Sequence, residues 1–339
     1  MGLGDAKKEK VVDDDGAGFD LPTEEKAPTD NMSAMEAEFY TLAHTVAASH
    51  VFCGVVGHEG TGKSGVVMDA FMKGWLDNHE DAEKHQARGD FLNVIDFDGG
   101  GAVARSTHYG NTPHIRCWDP WVMQDEDRTA YHYPETHNRV MNILRFAVAR
   151  SEAQKDPEYE GAHIWGLFVT AVDLWDSVAK NNMRITDLGL AADAIAAADS
   201  RGAGANAGTG QRVQQQFDWA IRSTRFHQLT AMCRKLVQNG VRVFWETHYK
   251  NMGFADDGTK LVPDWEKHSS NYLHQILHLS KVQSRTADGV PEDRWNYIVD
   301  FRKCKTNPNL EGQERIIMTT SKGEAPIWYG LPELRDEVI

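Results

Sequence analysis

Short, unbroken apolar runs alternate with longer stretches of helical periodicity over the first three-quarters of the chain. The run His50-Val-Phe-Cys-Gly-Val-Val56 has no polar position inside it, the mark of a strand buried on both faces. Similar runs at 91–96, 114–118, 164–172 and 241–247 predict four more strands. Between them, 66–76, 135–154 and 219–238 read as helices. In the second of these, Val140, Ile143, Leu144, Ala147 and Val148 share one face. Strands alternating with helices imply a mainly parallel sheet covered on both faces. Beyond residue 253 the texture changes, and 275–283, 295–303 and 314–320 predict strands joined by turns, antiparallel extensions of the same sheet.

Two segments break this pattern. Residues 1–30 hold nine acids and four bases with few large apolar side chains, a composition that buries too little surface to offset ordering entropy. Ser33-Ala-Met-Glu36 has capping-box spacing and predicts a helix to Ala48. Residues 200–216 carry four glycines in nine positions and no apolar period, which predicts a loop. The resulting organisation is a disordered acidic leader over 1–32, one domain over 33–325 and a tail over 326–339.

Composition narrows the function classes. The 339 residues are 41% hydrophobic and 25% charged, with a net charge of −14. Such a balance excludes a nonspecific nucleic-acid coat. Four cysteines without a CxxC pair exclude a disulfide scaffold and a zinc ribbon. There is no apolar run of membrane-spanning length, no secretory h-region and no myristoylation pattern, so a cytoplasmic protein is expected.

One motif carries specific chemistry. Gly57-His58-Glu59-Gly60-Thr61-Gly62-Lys63-Ser64 fits G-x-x-x-x-G-K-[ST] in full, after a predicted strand and before a predicted helix, with Gly65 following. Glycines let successive amides face inward as an anion nest. Lys63 would then reach the β- and γ-phosphates of a nucleotide, and the Ser64 hydroxyl would coordinate Mg2+. A second signal is Asn93-Val-Ile-Asp96-Phe-Asp98-Gly-Gly-Gly101, two carboxylates at a strand end, where ligands of parallel sheets bind. Asp96 and Asp98 would share a face of an extended chain, and one of them would serve as base towards an attacking water.

A strand, P-loop and helix followed by a strand ending in apolar-Asp-x-acid-Gly resembles the RecA-like P-loop ATPases, notably those of bacteriophages linked to single-strand annealing and recombination. The resemblance covers roughly residues 48–307. It implies a RecA-like α/β fold, ATP and Mg2+ as cofactors, ATP hydrolysis, and Asp98 as the residue that polarises the hydrolytic water. It also implies a magnesium-side carboxylate after the 164–172 strand. Thr170 takes that place if the strand ends at Val169, and Asp173 if it ends at Val172; Asp173 is preferred. The 241–247 strand ends in Thr247-His248, with Lys250 nearby, which places His248 as a sensor of the γ-phosphate. Arg302-Lys303-Cys-Lys305 resembles the cationic element that hexameric motors extend to a neighbour's γ-phosphate, giving Lys303 and Lys305 that role in a ring or filament.

Charge layout bears on the use of the ATP. Residues 221–250 carry Arg222, Arg225, Arg234, Lys235, Arg242 and Lys250 against one acid. A basic tract of this kind suits phosphate contacts with single-stranded DNA. The reading is an ATPase acting in DNA recombination, annealing or replication. The alternatives are a nucleotide-dependent switch or scaffold and a genome-packaging motor. No HExxH motif or Cys/His ligand spacing points to metal-only chemistry.

Overall fold

The strand after the acidic leader is apolar throughout because both of its faces are covered. β1 (Phe52–Gly57) is buried at every position and alternates its side chains between two cores. In the computed structural model the described residues are 51–124, 130–189, 216–251, 261–265, 268–332 and 334. The predicted leader, the capping-box helix and most of the 200–216 loop lie outside them.

The remaining strands of the main sheet are β2 (Phe91–Ile95), β3 (Ile115–Trp118), β4 (Ile164–Val169), β5 (Arg242–Thr247), β8 (Gln275–Arg285), β9 (Pro291–Cys304), β10 (Glu314–Ser321) and β11 (Ile327–Trp328). They run in the order β11-β10-β9-β8-β1-β5-β4-β2-β3. From β8 to β3 every pairing is parallel, and from β8 to β11 every pairing is antiparallel. A two-stranded ribbon, β6 (Tyr249–Asn251) with β7 (Leu261–Pro263), stands apart. The fold is therefore mixed α/β with a mostly parallel central sheet.

Helices cover both faces. α1 (Lys63–Asp69) runs directly into a π-helical segment, Ala70–Asp77. Their Val66, Val67, Met68, Phe71 and Leu76 pack on one face with Val55, Leu92 and Phe244. α2 (Ala82–Arg88) and α3 (Gly100–His108) precede and follow β2. On the other face lie α4 (Tyr133–Ala153), α5 (Val172–Thr186) and α6 (Gln216–Gln238), which bring Leu144, Trp175, Phe226 and Leu229 against Phe52, Val56 and Trp245. A short helix, α7 (Ser269–Tyr272), leads into β8.

Three expectations need correction. β4 ends at Val169, not Val172, because Ala171 takes a left-handed conformation (φ 45°, ψ 57°) that turns the chain into α5. β8 belongs to the parallel part of the sheet, pairing with β1, and only β9 to β11 are antiparallel. The sheet also continues past residue 325: β11 pairs with β10, and Leu334 is buried in the core.

Candidate functional site

The carboxyl ends of β1, β2, β4 and β5 meet at one edge of the sheet, where the P-loop motif lies. Gly57 ends β1 in a tight place: a Cβ there would stand 2.9 Å from the Leu279 carbonyl oxygen. Gly62, at φ 82°, opens α1 in the left-handed region that glycine adopts without strain. His58, Glu59 and Gly60 are exposed on the loop, Gly65 accepts from the Tyr109 hydroxyl (3.4 Å), and the Thr61 hydroxyl closes the turn onto the His58 carbonyl (2.8 Å). Lys63 is buried, and its ammonium donates to the carbonyls of Gly57 (3.1 Å) and His58 (3.0 Å). The lysine is thus held by the loop's own oxygens, which phosphate oxygens would replace.

The residue that completes this corner is Glu246. It accepts the Ser64 hydroxyl at 2.8 Å and faces Lys63 Nζ at 3.6 Å. Burial pushes its carboxyl up to about 7, with Lys63 pulling it down and the Asp98 and Asp96 charges pushing it further up. Sequence reasoning missed this acid. The signal was present, since Val-Phe-Trp-Glu246 is an apolar run followed by a carboxylate inside the predicted strand. What was hidden was that β5 is the strand hydrogen-bonded to β1, with Glu246 level with Val55.

Asp96 and Asp98 do not share a face as an extended chain would require, because β2 ends at Ile95 and the chain bends. Asp96 is buried and committed to structure. Its oxygens accept the amides of Gly101 (3.0 Å) and Ala102 (2.7 Å) at the start of α3, together with the Thr170 hydroxyl (3.1 Å). Asp98 is exposed, with one contact to the Gly100 amide at 3.1 Å. Asp98, Glu246 and His248 each offer a ligand atom, and the three atoms lie within 4.8 Å of one another. Two carboxylates and an imidazole beside a serine hydroxyl are a donor set able to hold a divalent cation.

With β4 ending at Val169, Thr170 follows the strand, and the preferred alignment that put Asp173 there is corrected. Asp173 lies in the first turn of α5, 3.4 Å from the Thr247 hydroxyl and 3.9 Å from His248 Nδ1. It reaches the site through those residues, whereas Glu246 is the carboxylate bonded to Ser64. Burial raises the Asp173 carboxyl, and His248 and the Thr247 hydroxyl oppose that.

Lys303 and Lys305 are not brought to the loop within one chain. β9 is antiparallel to β8, so its end lies towards the opposite edge: Lys303 is level with Ile276, and Ile276 with Gly54. Lys303 Nζ donates to the Ser270 carbonyl at 2.6 Å, and Lys305 is exposed. Most cations of the 221–250 tract have intramolecular partners. Arg222 pairs with Asp176, Arg225 with Asp187 (2.7 Å), Lys235 with Glu152 (3.3 Å) and Lys250 with Asp264 (2.7 Å). Arg242 lies over the Trp75 and Trp165 rings, and Arg234 is exposed. Among the described residues no helix is long and apolar enough to cross a membrane.

No protein-family model matches the chain, and no curated protein is significantly similar to it.

Proposed function

We propose that this protein is a P-loop ATPase of the RecA-like class that binds ATP with Mg2+, hydrolyses it, and uses it on DNA in recombination, annealing or replication. The observation that carries the proposal is the Lys63–Glu246–Ser64 corner at the end of β1, with Asp98 and His248 beside it. Loop amides and Lys63 hold the phosphates. Ser64 and Glu246 would hold the magnesium, directly or through water, and the ion would offset charge on the nucleotide phosphates. A water oxygen attacks the γ-phosphorus, its proton passes to Asp98, and the bond between the γ-phosphorus and the bridging oxygen breaks. In this reading His248, beside Asp98 and Glu246, senses the γ-phosphate.

Single-stranded DNA is the proposed partner, with a cytoplasmic ring or filament as the working form in which Lys303 and Lys305 serve a neighbouring subunit. The intramolecular pairing of the α6 cations reduces the support that charge alone lends to this part. A nucleotide-dependent switch with negligible turnover is the second reading. It is favoured by Thr170, a hydroxyl where the resemblance calls for a carboxylate.

The test is ATP turnover by the full chain and by Lys63→Ala, with and without single-stranded DNA at low and high salt. Turnover that Lys63→Ala abolishes and that DNA stimulates in a salt-sensitive way supports the motor reading. Turnover unchanged in Lys63→Ala refutes the P-loop assignment. ATP binding without turnover under any condition selects the switch.

A further inference from the structure

We propose that His79, Asp81 and His85 form a second cation site, specific for a divalent transition metal of the zinc class and separate from the P-loop corner. Each residue offers one ligand atom, and the three atoms lie within 4.8 Å of one another. They come from a single turn of chain. The π-helical segment ends at Asp77 and α2 begins at Ala82, so His79 and Asp81 sit on the connection and His85 on the helix that follows.

Three features favour metal binding over an incidental histidine pair. The first is spacing: His85 Nε2 is 3.3 Å from His79 Nδ1. Two nitrogens each ~2.05 Å from a tetrahedral ion are about 3.3 Å apart, so the imidazoles already stand at ligand separation. The second is orientation. His85 Nδ1 is 3.0 Å from Asp90 Oδ2, a carboxylate with 1% exposure. In the tautomer whose Nδ1–H donates to Asp90, His85 presents Nε2 as a lone pair, the usual outer-shell support of a metal-bound imidazole. Arg88 fixes that carboxylate through Nε (2.7 Å) and Nη2 (2.6 Å), and Nη2 also lies 3.1 Å from His85 Nδ1. The third is rigidity. The Trp75 ring stacks on His85 at 4.1 Å and lies 4.4 Å from His79, which restrains both imidazoles.

The donor set chooses the metal. Two imidazoles and one carboxylate suit zinc, nickel, copper or cobalt, whereas magnesium and calcium need oxygen. His79 Nδ1 accepts the Asp81 amide at 3.1 Å, and binding would exchange that neutral hydrogen bond for a metal bond. His79 also lines a cavity of about 330 Å3 with Trp75, Trp165, Arg242 and Trp328. Three protein ligands leave a fourth position for water or a small donor.

The experiment is a Co2+ titration of the chelator-stripped full chain without nucleotide, followed by visible absorption and then by Zn2+ competition. We expect uptake with the intense absorption of low-coordinate cobalt, displaced by Zn2+ and not by Mg2+. His79→Ala and Asp81→Asn, both at solvent-accessible positions, should each weaken uptake at least tenfold, while His248→Ala retains it. Circular dichroism confirms that the variants are folded. Uptake unchanged in His79→Ala, or no uptake by the wild type, overturns the proposal; the second result means that the pair is joined by an Nε2–H hydrogen bond. Loss of uptake in His248→Ala alone also overturns it, by assigning the ion to the P-loop corner.

Discussion

Two clusters of carboxylates and imidazoles lie at opposite ends of the parallel strands, and they are built in opposite ways. Asp98, Glu246 and His248 follow or end β2 and β5, 150 positions apart at the extremes, and only the sheet order brings them together. His79, Asp81 and His85 fall within one short connection and the helix after it. The first cluster holds a carboxylate buried against a lysine; the second has a solvent-exposed carboxylate and an imidazole backed by an arginine-held aspartate. The difference teaches that topology assembles the donor set proposed for a phosphate-bound hard cation, whereas local spacing suffices for the set proposed for a softer one.

The contrast breaks most sharply at Asp98. Asp98→Asn keeps the shape, removes the proposed base and touches no proposed phosphate contact. ATP turnover should fall by about 10²–10⁴, the usual worth of a positioned base, while nucleotide affinity and Co2+ uptake at the histidine cluster stay close to wild type. Steady-state turnover and a fluorescent-nucleotide titration check this. A loss of only a few-fold would leave Asp98 as one more exposed acid and return the cluster to an electrostatic role.

Glu246 gives the next effect. Its carboxyl rises from an ordinary 4.5 to about 7, so the folded protein holds a proton that the unfolded chain has already released. Stability therefore declines as pH rises from about 4.5 to about 7 and levels off above that. The 2.5-unit displacement corresponds to on the order of 3 kcal/mol. Asp90, which backs His85 of the other cluster, has the opposite sign. Burial pushes its carboxyl up, but hydrogen bonds from Arg88 and the His163 amide outweigh this and hold it below the ordinary range, so its contribution is lost towards acid pH. Urea denaturation across this window should show a slope that Glu246→Gln flattens. Parallel curves for the two proteins would place the carboxylate in a better solvated setting than its burial implies.

These two residues also mark where sequence reading succeeds and where it stops. The P-loop motif is legible because glycine, lysine and serine stand at fixed offsets, and the strands are legible because burial on both faces leaves them mostly apolar. Glu246 carried no role in the sequence reading because sequence order does not say which strand pairs with β1. Asp173 looked better than Thr170 because a carboxylate is the better magnesium partner, yet the left-handed turn at Ala171 puts the hydroxyl at the strand end. An alanine in that conformation leaves no mark that a sequence would show. The histidine cluster was overlooked for another reason: its His-x-Asp-x-x-x-His spacing is not among the familiar ligand patterns, and only the Trp75 and Asp90 contacts give it direction.

The smallest effect separates scaffold from chemistry at the P-loop corner. The Thr170 hydroxyl is fully buried; it donates to Asp96 Oδ1 at 3.1 Å and accepts the Phe97 amide at 3.0 Å. It thereby ties the end of β4 to the bend that turns Asp96 inward and Asp98 outward. Thr170→Val preserves volume but leaves a buried amide without an acceptor and removes one of the bonds to Asp96. The expected loss is about 1–3 kcal/mol, read as a lower urea midpoint with unchanged slope. If Thr170 only braces the bend, ATP turnover below the unfolding transition stays within a few-fold of wild type, because Glu246 and Ser64 are untouched. A drop as large as that of Asp98→Asn, with stability little changed, would make the Thr170 hydroxyl a direct participant and move the catalytic centre one strand away from Glu246.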